Sequence, residues 1–204
     1  MWQSLPFLYA PSPLVAAMTA ACDVVLAVLA LSEFRGRNLA YSKFGRARGA
    51  LLLPSRVGMF LLYAPAFAGA LASFAVPGAV EGTRAGFLCA AVAVHFLKRV
   101  LEVLFVHRYS GSMPLGTILL ISSYYLFNAV AMIYVQHLSY NLPEPAVDLL
   151  YPGMLVFAVG LAGNFYHHYL LSRLRAGGGG DNKAYKIPRG GLFELCLLYT
   201  SRCV

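Results

Sequence analysis

Five long apolar runs, each close to the length of a bilayer-spanning helix, dominate this chain. They run from about Ser12 to Ser32, Val57 to Val76, Gly86 to Val106, Leu115 to Gln136 and Leu150 to Leu171. A spanning helix needs about 20 mostly apolar residues. In water, five such faces would expose more contiguous apolar surface than a soluble monomer tolerates. The composition agrees, since 59% of the 204 residues are hydrophobic and only 12% are charged, against about 25% charged in a soluble domain. The expected fold is therefore an all-α, polytopic transmembrane helix bundle. Cys22, Cys89, Cys196 and Cys203 form no CxxC or Cys/His cluster, so neither a disulfide framework nor a metal site is expected. The first residues carry no charged n-region; the first run is read as an uncleaved anchor.

The net charge of +8 would suggest nucleic acid in a soluble protein. Here the bases lie in loops, in a pattern that sets topology instead, and no nucleic-acid partner is expected. Arg35, Arg37, Lys43, Arg46, Arg48 and Arg56 follow the first run, His107 and Arg108 the third, and Arg173, Arg175, Lys183, Lys186 and Arg189 the fifth. The intervening loops are balanced around Glu81 and Arg84, or acidic with Glu144 and Asp148. The positive-inside rule then places the N-terminus in the lumen and the loops after runs one, three and five in the cytosol. No internal repeat is present, which disfavours a transporter.

Ionisable groups inside a bilayer cost about 2.5–3.5 kcal/mol each near its centre, so those retained need a reason. In HFLKRVLEVLFVHRYS, residues 95–110, Lys98 lies four residues before Glu102 and Arg99 three. His95, Arg99 and Glu102 share a helical face. A snorkelling belt of cations is one reading; Glu102 is surplus to it. In the fifth run Asn164, His168, Ser172 and Arg175 fall on one helical stripe, able to line a cytosol-facing cavity. An aromatic and basic interfacial belt is the other reading, and it fits Asn164 poorly. His167 and His168 are adjacent and point apart, unlike an i, i+4 metal pair. Tyr185 to Phe193 holds Gly190 and Gly191 beside cations, a loop that could approach phosphates or simply connect helices. Ser122, Ser123, Tyr124, Tyr125 and Asn128 are expected to form interhelical hydrogen bonds.

The segments GNFYHHYLLSRLR and YKIPRGGLFE resemble the C-terminal domain of the steroid 5-alpha-reductase family. HFLKRVLEVLFVHRYS is similar to that family's very-long-chain enoyl-CoA reductase branch, and SEFRGRNLAYSKFG and YVQHLSYNLPEPAVDLLYPG look like its plant members. The resemblance implies a bundle of about seven helices, of which about five are present, with a lumenal N-terminus in the endoplasmic reticulum membrane. It implies NADPH as cofactor and reduction of a carbon–carbon double bond conjugated to a carbonyl. The lipid substrate would be an enone steroid, an enoyl-CoA or a polyprenol-type lipid.

By the same resemblance Asn164, His168, Arg175 and Tyr185 line the cofactor pocket. Arg189, Gly190 and Gly191 shape a loop over the cofactor, while Lys98, Arg99 and Glu102 match a charged triplet of the enoyl branch. Tyr63 falls where the steroid branch places a ketone-binding Glu, and Phe96 where it places a Tyr. His168 stands where that branch has Asp. These departures point away from a standard steroid pocket, and Tyr63, Tyr124 or Tyr125 could donate to the carbonyl. Residues 1–50 are expected to form an anchor helix and basic loop, and 51–204 a reductase domain cut short after about residue 194, where LCLLYTSRCV looks unlike the family. The alternative is an inactive fragment or a non-enzymatic membrane interaction protein.

Overall fold

The structure, a computed structural model, describes residues 12–36, 51–140, 142, 143, 147–176 and 188–195. Five helices form where the five runs lie: α1 (Pro13–Phe34), α2 (Ser55–Ala72), α3 (Gly82–Leu101), α4 (Leu115–Leu138) and α5 (Leu150–Ala176). Among the described residues, three helical segments are long and apolar enough to cross a membrane by composition: Pro13–Ser32, Ser55–Ala75 and Leu115–Leu138. The helices α3 and α5 have 20 and 27 residues, enough length, but polar groups dilute their hydropathy. Those groups build the site described below. The chain is a multi-pass membrane helix bundle.

The sequence reading did not anticipate a short antiparallel ribbon of β1 (Leu52–Pro54) and β2 (Ser112–Pro114). Leu52 pairs with Pro114 and Pro54 with Ser112. Each strand ends on a proline and the next residue starts a helix, α2 or α4. The Ser55 amide donates to Gly111 O at 3.1 Å and the Leu115 amide to Leu51 O at 2.9 Å. Pairing satisfies backbone groups that would otherwise be costly near a membrane. It also fixes the starts of α2 and α4 side by side.

Small residues draw α2 and α4 together. A Cβ on Gly58 would lie 3.0 Å from Ile118 Cδ1, and one on Gly69 2.8 Å from Leu126 Cδ1. Close backbone approach of this kind replaces the hydrophobic driving force that lipid does not supply. The buried core joins Leu62, Ala66 and Ala70 of α2 to Phe96 and Val100 of α3 and Ile118 and Ala129 of α4.

Pro65 sits inside α2. Having no N–H, it leaves the carbonyl of Leu61, four residues earlier, without its helical donor. The Ser122 hydroxyl of α4 donates to that carbonyl at 2.8 Å, and Ser122 is buried. Ser122 thus makes the interhelical bond expected of its cluster, whereas Asn128 Nδ2 donates within its own helix to Tyr124 O at 2.7 Å. Ser122→Ala should lower stability by about 1–2 kcal/mol, read as thermal unfolding in detergent. In a Pro65→Ala background, where the helix supplies its own N–H, the same change should cost much less, a difference a double-mutant cycle isolates.

Candidate functional site

After Leu101 the α3 helix widens into one π-turn, Glu102–Val106, closed by the His107 amide donating to Glu102 O at 2.7 Å. Such turns free carbonyls and often mark functional positions. Arg56, in the first turn of α2, donates from Nε to Val103 O at 3.3 Å and from Nη2 to Leu104 O. The turn buries Glu102, which is 1% exposed.

Glu102 gathers the cations around it. Lys98 Nζ lies 2.8 Å from Oε1 and Arg99 Nη1 3.1 Å from Oε2. The Lys98 contact is an ion pair without good hydrogen-bond angles, since Oε1 has no hydrogen-bond partner among the described residues. His168 Nδ1 is 2.9 Å from Oε2. A carboxylate only accepts, so His168 donates from Nδ1, and Arg99 Nη1 lies against the ring, 3.1 Å from Nδ1 and 3.3 Å from Nε2. Arg99 Nη2 donates to the Tyr63 hydroxyl, and its guanidinium lies 4.6 Å from that ring's centroid. Tyr63 is 4% exposed and stacks on Tyr125, with centroids 5.5 Å apart.

The polar stripe of α5 meets this end of α3 residue by residue. Asn164 Oδ1 accepts from Lys98 Nζ, His168 meets Glu102, the Ser172 hydroxyl donates to Val106 O, and Arg175 Nη1 donates to Arg108 O at 2.6 Å. The stripe is therefore a polar seam between helices and not an outward belt. Polar seams of this kind join helices where lipid offers nothing to drive them together.

Two hollows flank the cluster. A cavity of about 790 Å³ is walled mainly by apolar groups of α3, α4 and α5, and Tyr63, Arg99, Tyr125, Asn164 and His168 form one end of it. A smaller hollow of about 210 Å³ is lined by Arg99, His107, Arg108, Tyr109, His168 and Arg175, among others. Arg99 and His168 border both.

The sequence-predicted residues are thus not all in one place. Tyr63, Lys98, Arg99, Glu102, Asn164 and His168 come together, and Arg175 borders the smaller hollow. Gly190 and Gly191 adopt φ of 93° and 57°, which glycine alone enters freely. Their loop turns onto the other face of α5: the Leu192 amide donates to His167 Nε2 at 2.8 Å, and the Gly190 amide to Glu194 Oε1 at 2.8 Å. A Cβ on Gly191 would meet His167 Nε2 at 2.7 Å. Arg189 is exposed beside them, and none of the three borders either hollow. Tyr185 lies outside the described residues. Sequence reasoning gave no role to Tyr109 or Gln136, and gave Arg84 only a place in a charge-balanced loop. For His107 it had only a place in a basic loop, because the π-turn that swings His107 against His168, at a centroid distance of 4.8 Å, has no sequence signature.

Ligand atoms of Glu102, His107 and His168 lie within 4.8 Å of one another, a spacing a metal could use. Lys98 and Arg99 already neutralise that carboxylate, and a further cation there would meet repulsion.

The sequence model of the 3-oxo-5-alpha-steroid 4-dehydrogenase family matches residues 111–200. Over that stretch the chain is similar to the steroid 5-alpha-reductase family. It is 31% identical over 180 residues to 3-oxo-5-alpha-steroid 4-dehydrogenase 1 of Macaca fascicularis, covering 85% of this chain and 65% of that one. It is 36% identical over 113 residues to a very-long-chain enoyl-CoA reductase of Dictyostelium discoideum, covering 53% and 36%. A probable very-long-chain enoyl-CoA reductase of Caenorhabditis elegans is 32% identical over 109 residues, covering 52% and 35%. The chain thus spans between about a third and two thirds of the length of these relatives. The family match runs on to residue 200, into the stretch set apart above after Glu194.

Replacing Glu102 by Gln leaves Lys98 and Arg99 without their counter-charge and should cost about 3–5 kcal/mol, seen as a lowered unfolding temperature. His107, in the loop beyond the π-turn, is held down to about 4 from an ordinary 6.5, first by burial and then by the charge of His168. The folded protein therefore refuses a proton that the unfolded chain accepts, so this residue's contribution to stability falls as pH drops from 6.5 towards 4. His107→Gln should flatten the stability–pH curve in that window, measured by thermal unfolding across buffers.

Proposed function

We propose that this protein is an NADPH-dependent oxidoreductase of the endoplasmic reticulum membrane, reducing a carbon–carbon double bond conjugated to a carbonyl in a lipid, with residues 51–204 carrying the reductase site. The observation that carries this reading is the shared wall. One guanidinium, Arg99, borders both a large, mostly apolar cavity and a small cation-lined hollow. An apolar cavity with a few convergent polar groups suits a lipid. The relatives' names support double-bond reduction of enoyl-CoA or 3-oxo-steroid substrates.

The smaller hollow fits the cofactor's phosphates. Arg99, Arg108 and Arg175 border it, and the nearest carboxylate, Glu102, is already engaged by Lys98, Arg99 and His168. A surplus of guanidinium donors there suits phosphate, which arginine binds through paired hydrogen bonds. Asn164, His168, Arg175 and Tyr185 would complete the binding set, whereas Arg189, Gly190 and Gly191 sit on the other face of α5 and border neither hollow. NADPH supplies the hydride when bound.

The chain's own residues handle the developing charge. Arg99 donates to the Tyr63 oxygen, which leaves the Tyr63 hydroxyl hydrogen to point at a carbonyl in the cavity. As the carbonyl gains negative charge, Tyr63 and Arg99 stabilise it in a site held away from water. Glu102 fixes Arg99 and His168 in register and keeps the pair of helices closed on the cavity.

Saturating NADPH should raise the unfolding temperature of the purified protein by mass action, and Arg175→Ala should abolish the shift. NADPH oxidation should appear with one member of a panel of enone steroids, enoyl-CoAs and polyprenol-type lipids. In the Tyr63→Phe variant it should fall by about 10²-fold or more, the scale of a lost donor to a developing oxyanion. Absence of both the shift and turnover would sink this reading and leave a membrane interaction protein.

A further inference from the structure

The helix α1 stands apart from the site. Its stretch Pro13–Ser32 is long and apolar enough to cross a membrane, and none of its residues is fully buried in the bundle. Val15, Met18, Cys22 and Leu29 are half-buried and mark the side on which α1 rests against α4. Ala16, Ala20, Asp23, Ala27 and Ala30 are exposed. At 3.6 residues per turn they form one stripe, about 130° round the helix from the half-buried side.

Asp23 is the eleventh of the 22 residues of α1, about 15 Å from either end at the helical rise. A carboxylate facing lipid at that depth is costly, and ionisable groups so deep are kept where they pair. Its own helix cannot satisfy it. The hydroxyls of Thr19 and Ser32 donate to the carbonyls of Val15 and Val28, four residues back, at 3.0 and 2.8 Å. A carboxylate only accepts, and amides in the middle of a helix are already given to the helix's own carbonyls. Among the described residues no hydrogen bond or ion pair reaches Asp23. Arg35, just beyond α1, is about 18 Å further along the chain at the helical rise. Headgroups lie about 15 Å from the bilayer centre, out of reach of so short a side chain.

We propose that this face of α1 docks a separate membrane-spanning helix that carries a lysine or arginine near its midpoint. The cation neutralises Asp23 at bilayer depth. The alanines let the two backbones approach closely, as small residues do where helices meet in a membrane. Their alternating spacing of four and three residues is that of a left-handed helix pair. Charge decides against a second copy of this chain as the occupant. Two copies paired in parallel through the same stripe would set Asp23 against Asp23, and like charges repel. The proposal does not depend on the reductase reading.

Three synthetic host helices of leucine and alanine, about as long as α1, test the face. One carries Lys at its centre, one Leu and one Glu. Their association with the full chain in proteoliposomes is read by energy transfer between labels on the two partners. The Lys host should bind about tenfold tighter than the Leu host, the scale of a polar contact between helices in a membrane. Asp23→Leu should erase that preference with the unfolding temperature unchanged, since the residue is exposed and outside the core. Asp23→Lys should transfer the preference to the Glu host. Should Asp23→Lys fail to fold, Ala20→Leu with Ala27→Leu takes its place and should weaken the Lys host several-fold while Asp23 is retained. Equal binding of the Lys and Leu hosts would overturn the docking face, as would a Lys preference that survives Asp23→Leu. Self-association of the chain that is lost in Asp23→Leu would overturn the cationic partner and assign the face to a second copy.

Discussion

One carboxylate decides how this bundle closes. Glu102 is buried at the end of α3, where an isolated charge would be costly. It is tolerated because Lys98 and Arg99 of its own helix and His168 of α5 converge on it. The ion pairs within α3 neutralise the charge, and the contact to His168 recruits a neighbour. From that point Asn164, Ser172 and Arg175 join α5 to α3 above and below it. Without Glu102 the seam would hold a row of cations facing one another. Buried ionic groups of this kind contribute less to stability than to the choice of one arrangement over others.

The supporting shell is built from repairs to irregular backbone. The π-turn frees carbonyls, and Arg56 and Ser172 occupy them. Pro65 leaves the Leu61 carbonyl open, and Ser122 fills it. The β1–β2 ribbon satisfies the chain just before α2 and α4 begin. Each repair joins two elements, so each backbone defect becomes an interhelical tie. In a membrane, where water cannot satisfy a stray carbonyl, this is how irregular helices persist.

Local patterns were legible in the sequence, and long-range ones were not. Run length located all five helices, and the 3.6-residue period put Asn164, His168, Ser172 and Arg175 on one seam. Spacing alone foresaw the Lys98 and Arg99 pairs with Glu102. The partner of the seam could not be read, because His168 and Glu102 are 66 residues apart. Nothing local joins the proline at 65 to the hydroxyl at 122, so the bond from Ser122 to the Leu61 carbonyl could not be read. The glycine loop was legible as a tight turn, yet its docking on His167 depends on which face of α5 is already taken by α3.

The position of Arg99 has a thermodynamic consequence. A single positive charge borders two compartments, so an anion or dipole admitted to one compartment changes the potential felt in the other. Occupancies linked through one shared charge cannot be independent, and the linkage must be equal in both directions. The partition between the hollows is therefore also an electrical contact.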